Sequence, residues 1–190
     1  MRLVFVTSNA NKLEEVQRIL RRLAPFIEVA GVNIEVAERQ LDNIEEIAAE
    51  RVREAYSRLR TPVFVEDSGL FIESLNGFPG PYSSYVYKTI GCRGILKLME
   101  GVKNRKAIFK SAIALCLSPS ELLIFTGVVE GELATEERGG GWGFDPIFIP
   151  KNANGHTYGE LGDAKNEISH RRKALEGLAN YLLIKMRGKV

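Results

Sequence analysis

The sequence predicts an α/β protein built on a mixed, twisted sheet, with two lobes around a cleft. Three observations carry that prediction. Short β-branched runs alternate with apolar residues at helical spacing through the first third of the chain. Two long strand-like runs then follow one another across a short polar break. A long helical stripe of apolar residues closes the sequence.

Arg2–Val6 is a short buried strand by composition, and Leu13, Val16, Ile19, Leu20 and Leu23 then recur at helical spacing until Pro25 stops them. Glu28–Ile34 reads as a second strand. Ile44, Ile47, Ala48, Val52, Ala55 and Leu59 mark a second amphipathic helix, with Asp42 and Glu45 resembling a capping box. Val63–Glu66 completes a β-α-β-α-β series, which implies parallel pairing with right-handed crossovers. In the middle, Phe71–Leu75 is a short strand, Gly77-Phe-Pro-Gly-Pro81 a rigid loop and Ile95–Met99 part of a short helix. Lys106–Leu117 and Leu122–Glu130 form a hairpin about Ser118-Pro-Ser-Glu121, so this part is antiparallel. Glycines 139–141 and 143 make an irregular loop. The last helix carries Ile168, Leu175, Leu178, Ala179, Leu182, Leu183 and Met186 on one face, with Lys165-Asn-Glu-Ile-Ser-His-Arg171 opening it.

Bulk properties narrow the function. A chain of 190 residues fits one domain spanning 1–190 and can bury a stable interior. Its 26 basic and 24 acidic residues leave a formal charge of only +2, which argues against a nucleic-acid polymer as partner. Cys92 and Cys116 lie far apart in no metal-like spacing, so they read as reduced filler of a cytoplasmic protein. The apolar start turns polar at Thr7, too soon for a signal segment, and no later stretch reaches membrane-spanning length.

Four segments carry chemistry. Val63-Phe-Val-Glu-Asp-Ser-Gly69 ends an apolar strand in two adjacent acids and a Ser-Gly turn, which suits a hard divalent cation. Thr7-Ser-Asn-Ala-Asn-Lys12 is a strand-to-helix junction without the glycines of a Walker A loop. A helix N-terminus with hydroxyl, amide and lysine donors can nonetheless hold phosphate, although Lys12 there opposes the helix dipole. In Gly139-Gly-Gly-Trp-Gly-Phe-Asp-Pro-Ile-Phe148, Trp142 and Phe144 alternate about Gly143, so one ring can face a flat ligand while the other packs. Lys165, His170 and Arg171 add cationic and hydrogen-bonding donors. Two histidines in the whole chain support neither a His-rich metal cluster nor a Ser-His-Asp triad.

In order, Thr7-Ser-Asn-x-x-Lys12, Glu66-Asp-Ser-Gly69, Gly77-Phe-Pro-Gly80, Gly141-Trp-Gly-Phe-Asp-Pro-Ile-Phe148 and Lys165-Asn-x-x-Ser-His-Arg171 resemble the inosine/xanthosine triphosphate pyrophosphatase family. The resemblance runs from Val4 to about Arg171. It implies an elongated, two-lobed α/β fold with a central cleft, a homodimer and a need for Mg²⁺. The activity implied is hydrolysis of deaminated purine nucleoside triphosphates (ITP, dITP and XTP) to the monophosphate and pyrophosphate, which keeps those bases out of DNA and RNA. By position, Thr7, Ser8, Asn9, Ala10, Asn11 and Lys12 would cradle the triphosphate, and Glu38 and Asp67 would hold Mg²⁺. Asp67 would accept the proton of the attacking water with Glu66 helping, and Ser68 would contact substrate. Trp142, Gly143, Phe144 and Asp145 would hold the base, with Lys165, His170 and Arg171 completing its pocket.

Which of Asp67 and Glu66 is the base stays open at this level, because neighbouring strand residues face opposite ways. Donors from His170 and Arg171 would suit a purine 6-carbonyl and mismatch the 6-amino group of ATP. The sequence departs from the family at Arg51, where many relatives carry a lysine, and at Tyr82-Ser-Ser-Tyr85, where many read Ser-Ala-Arg-Tyr. Two other readings remain: a related pyrophosphatase for modified pyrimidine or methylated guanine nucleotides, and a non-catalytic nucleotide sensor.

Overall fold

Strand β1 (Arg2–Val6) lies between β2 (Glu28–Val32) and β3 (Val63–Ile72), parallel to both, as the β-α-β-α-β pattern requires. The computed structural model describes residues 1–36 and 41–188, and the full strand order is β2-β1-β3-β4-β5-β6. β4 (Lys106–Ser118) and β5 (Glu121–Leu133) are sheet neighbours joined by Pro119 and Ser120 alone, a link only an antiparallel pair can use. β6 (Phe148–Pro150) pairs antiparallel with the end of β5, and Pro150, which has no N–H to give, falls on this last strand of the order.

The chain divides into two compact units. The first comprises Met1–Asp67, Ser111–Gly127 and His170–Val190. In it, α1 (Ala10–Leu23) connects β1 to β2, and α2 (Ile44–Leu59) leads to β3. α6 (His170–Arg187) packs on α1. The core joins Leu3, Phe5 and Phe64 of the strands to Val16 and Leu20 of α1 and to Leu175 and Leu178 of α6. The Phe5 and Phe64 rings stack at 4.7 Å. Each such side chain contributes about 1.5–3 kcal/mol by leaving water. A Cβ on Gly127 of β5 would stand 2.0 Å from the His170 carbonyl oxygen and 2.6 Å from the Ala174 nitrogen. Only glycine therefore lets the first turn of α6 approach this strand.

The second unit comprises Ser68–Lys110 and Val128–Ser169. It holds α3 (Ser83–Thr89), α4 (Gly91–Leu98) and α5 (Tyr158–Leu161). Leu70, Ile72, Ile95, Phe109, Leu133, Phe148 and Tyr158 form its core. Phe109 meets Phe148 edge-on at 4.9 Å, and Tyr158 lies 5.1 Å from Phe148.

Several sequence expectations are corrected. Ser68-Gly69 is not a turn: β3 runs unbroken from Val63 to Ile72, and Glu73–Leu75 is a 3₁₀ turn rather than strand. The glycine serves close approach instead, since a Cβ at Gly69 would lie 2.2 Å from the Gly80 carbonyl oxygen. Ser83 secures that contact by accepting from the Leu70 N–H (2.9 Å) and donating to the Gly80 carbonyl (2.7 Å). α2 is capped by Asn43, whose side chain accepts from the Glu45 N–H at 2.8 Å, so Asp42 is not its cap. Lys165 lies in a separate 3₁₀ segment, Gly162–Glu167, and α6 begins only at His170. Met186 stands outside the apolar face at 45% exposure. Strand β2 stops at Val32, short of Ile34.

Gly69→Ala is expected to cost about 1–3 kcal/mol through overpacking against the Gly80 carbonyl. Urea unfolding of the two proteins measures the difference. Unchanged stability would show that the strand yields freely there.

Candidate active site

The loop after β1 is organised by its own polar side chains. Thr7 Oγ1 accepts from the Asn9 N–H at 3.1 Å, and Asn9, the N-cap of α1, accepts from the Lys12 N–H at 3.2 Å. The first turn of α1 contains no acid, unlike that of α2, which carries Glu45 and Glu46. The end of α1 thus keeps the partial positive charge that attracts anions.

Lys12 does not wait for an anion. Its ammonium lies 2.7 Å from Glu66 Oε2 and donates to the Glu66 carbonyl at 3.3 Å. Glu66, whose side chain is 0% exposed, also accepts from Ser111 Oγ at 2.8 Å and from Arg171 Nη2 at 3.1 Å. Arg171 in turn pairs with Glu15, one turn beyond Lys12 on α1. Burial alone would push the Glu66 carboxyl up, but Arg171, Lys12 and the Ser111 hydroxyl together hold it well below the usual carboxylate range. Glu66 is therefore a fixed anion that organises two cations, and a carboxylate so weakly basic is a poor proton acceptor.

Asp67 differs. Alternation along β3 takes its side chain away from the Glu66 cluster. Its Oδ1 accepts from Arg51 Nη1 at 2.5 Å, and 10% of the side chain stays exposed. Lys12, Glu66, Asp67 and Arg171 belong to the first unit, as does His170, which is buried.

Ser68, Trp142, Gly143, Phe144, Asp145 and Lys165 belong to the second unit. There the glycine loop turns through left-handed backbone at Gly139, Gly141 and Gly143. Asp145 is buried and its Oδ2 accepts from Lys165 Nζ at 2.8 Å. The same ammonium lies 5.0 Å from the Trp142 ring centre and 5.5 Å from that of Tyr158. Phe144 instead points into the core, as the alternation about Gly143 anticipates for one of the two rings.

Glu15 and Ser111 were not singled out from the sequence. Glu15 had a signal, since i,i+3 places it beside Lys12 on α1. Ser111 had none, because its role appears only once β4 is folded. Glu38 lies outside the described residues. Among the described residues no group of three or more His, Cys, Asp or Glu side chains gathers to hold a metal. Mg²⁺ commonly takes one or two protein carboxylates and completes its shell with substrate phosphates and water. The hard oxygens of Asp67 fit that requirement.

Comparison with known proteins agrees with this architecture. The Ham1 family profile matches residues 3–181, so the chain belongs to the Ham1 family. It is 52% identical over 184 residues to the dITP/XTP pyrophosphatase of Thermococcus kodakarensis, covering 96% of this chain and 97% of that one. Identity to the dITP/XTP pyrophosphatase of Korarchaeum cryptofilum is 49% over 181 residues, covering 95% and 96% respectively. The solved Ham1 protein of Staphylococcus aureus superposes with a TM-score of 0.84 at 28% identity, over 97% of this chain and 100% of that one.

Glu66→Gln leaves Lys12 and Arg171 facing a neutral group, at an expected cost of about 3–5 kcal/mol near neutral pH. Because the folded carboxyl titrates below the unfolded value of roughly 4.3, the stability it contributes is complete above that value and is lost as pH falls below it. The gap between wild type and variant should accordingly narrow at acid pH. Urea midpoints at pH 7 and at about pH 3.5 test this, and a gap independent of pH would refute it.

Proposed function

We propose that this protein is a Mg²⁺-dependent nucleoside triphosphate pyrophosphatase that converts ITP, dITP and XTP to the monophosphate and pyrophosphate, keeping deaminated purines out of DNA and RNA. The observation that carries the reading is the Glu66 cluster, which presents Lys12 beside the N-terminus of α1 and leaves Asp67 as a separate carboxylate paired with Arg51. Relatives named dITP/XTP pyrophosphatase at about half identity support the substrate class. The family resemblance also points to a homodimer working in the cytoplasm. Among the described residues no helix is long and apolar enough to cross a membrane, which fits that assignment.

In this mechanism the loop Thr7 to Lys12 binds the phosphates through helix-end N–H groups, hydroxyls and the ammonium. Asp67 and Glu38 would hold Mg²⁺, which when bound neutralises and orients the phosphate oxygens. Asp67 accepts the proton of the water that attacks the α-phosphorus, while Glu66 stays ionised and keeps Lys12 and Arg171 placed. Arg51 orients the Asp67 carboxylate through its 2.5 Å bond. Pyrophosphate leaves with its developing charge stabilised by Lys12.

Trp142 stacks the purine, and Asp145 with Lys165 fixes that loop in place. His170 and Arg171 donate to the 6-carbonyl. A guanidinium with five N–H donors can serve two carboxylates and a purine oxygen together. ATP brings a 6-amino donor to the same place and leaves those groups unpaired, which is a strong basis for rejection.

Purified protein supplied with ITP and Mg²⁺ should yield IMP and pyrophosphate, much faster than AMP from ATP, and chelation of the metal should stop it. Release of orthophosphate would overturn the reaction. Asp67→Asn should lower kcat by roughly 10²–10⁴-fold, the range for loss of a general base. Full turnover by that variant would remove Asp67 from the role.

A further inference from the structure

The glycine loop is held by two helices as well as by the Lys165–Asp145 pair. Phe144 turns its ring into the core of the second unit and meets the Tyr87 ring edge-on, with centroids 5.5 Å apart at 84°. One residue earlier, the Gly143 carbonyl accepts from the Cys92 thiol, with sulfur and oxygen 3.4 Å apart. Tyr87 lies on α3 and Cys92 on α4, so two consecutive helices grip two consecutive loop residues.

The residues assigned to the purine flank that carbonyl. Gly143 has φ of +62°, and this left-handed turn directs its carbonyl to Cys92 while Trp142 and Asp145 on either side engage Lys165. The Asp145 N–H donates to the Trp142 carbonyl at 3.3 Å and closes the turn. The thiol is a durable donor: burial first, then the nearby Glu137 and Asp145 carboxylates, push Cys92 up to about 12, so it keeps its proton at neutral pH.

We propose that Tyr87 and Cys92 are positioning residues for base recognition, holding the Trp142–Asp145 loop in its ligand-receiving shape before nucleotide arrives. The proposal rests on the reading of that loop as the purine platform. A loop ordered in advance loses less freedom on binding, so base selectivity depends on two side chains behind the ones that meet the base.

Trp142 is the chain's one tryptophan, and its emission reports this loop alone. Tyr87→Leu and Cys92→Ala are expected to shift that emission in the ligand-free protein. Each should also raise KM for ITP more than it lowers kcat, by roughly two- to tenfold for the aromatic loss, and reduce the preference for ITP over ATP. Tyr87→Phe keeps the ring and Cys92→Ser keeps a donor for Gly143, so both should retain wild-type emission and KM. The proposal is overturned if either readout stays unmoved in Tyr87→Leu and Cys92→Ala, if the loss falls on kcat alone, or if the conservative variants are equally impaired. Should Tyr87→Leu fail to fold, the Cys92 pair decides. Wild-type protein that fails to cleave ITP would sink the pyrophosphatase reading, while the emission comparison, which needs no turnover, would still report whether α3 and α4 hold the loop.

Discussion

A buried carboxylate bound to two cations is the constraint on which the first unit depends. Glu66 draws Lys12 from α1, Ser111 from β4 and Arg171 from the start of α6 onto one strand position. Such a cluster is a poor source of net stability, because three charges must leave water to form it. Its value lies in specifying geometry. Any strand register that moved Glu66 would take this carboxylate from a half-buried Lys12 and a buried Arg171, so α1, β3 and α6 are held to one arrangement. Glu15 reinforces it by joining α1 to α6 a second time.

The same pairing divides labour between adjacent acids. A carboxylate surrounded by cations and hydroxyl becomes too weak a base to take a proton, whereas its neighbour on the opposite face pairs with Arg51. The strand pleat alone separates the two environments. In the second unit an analogous buried pair, Lys165 with Asp145, fixes an aromatic loop, and the lysine adds its charge above the Trp142 face. Both units thus spend a buried ion pair on placing something else.

Periodicity and composition made most elements legible. Parallel β1, β2 and β3, helices α1 and α2 and the central hairpin all follow from apolar spacing in the sequence. Two of the failures share one cause: residues that look like local punctuation were serving distant contacts. Gly69 resembled a turn glycine, yet it is small so that the Gly80 backbone can reach it. Ser83 stood out only as part of a departure from the family pattern, yet it bridges Leu70 and Gly80. α3 escaped notice because Tyr82-Ser-Ser-Tyr85 has little helical patterning of its own. At the site, ordered motifs supplied Lys12, Glu66, Asp67 and Arg171. The mutual neutralisation of Lys12, Glu66 and Arg171 was not legible, because no local pattern says that a lysine and an arginine separated by most of the chain will share one glutamate.

Gly127 carries one consequence for how this protein can vary. The first turn of α6, which bears His170 and Arg171, rests directly against that bare backbone. Even a methyl group there would press outward on the helix and drag the arginine off its carboxylate partners. Variation in that turn is therefore limited by a strand position that bears no chemistry of its own: the helix can exchange its side chains freely only while the surface beneath it remains flat.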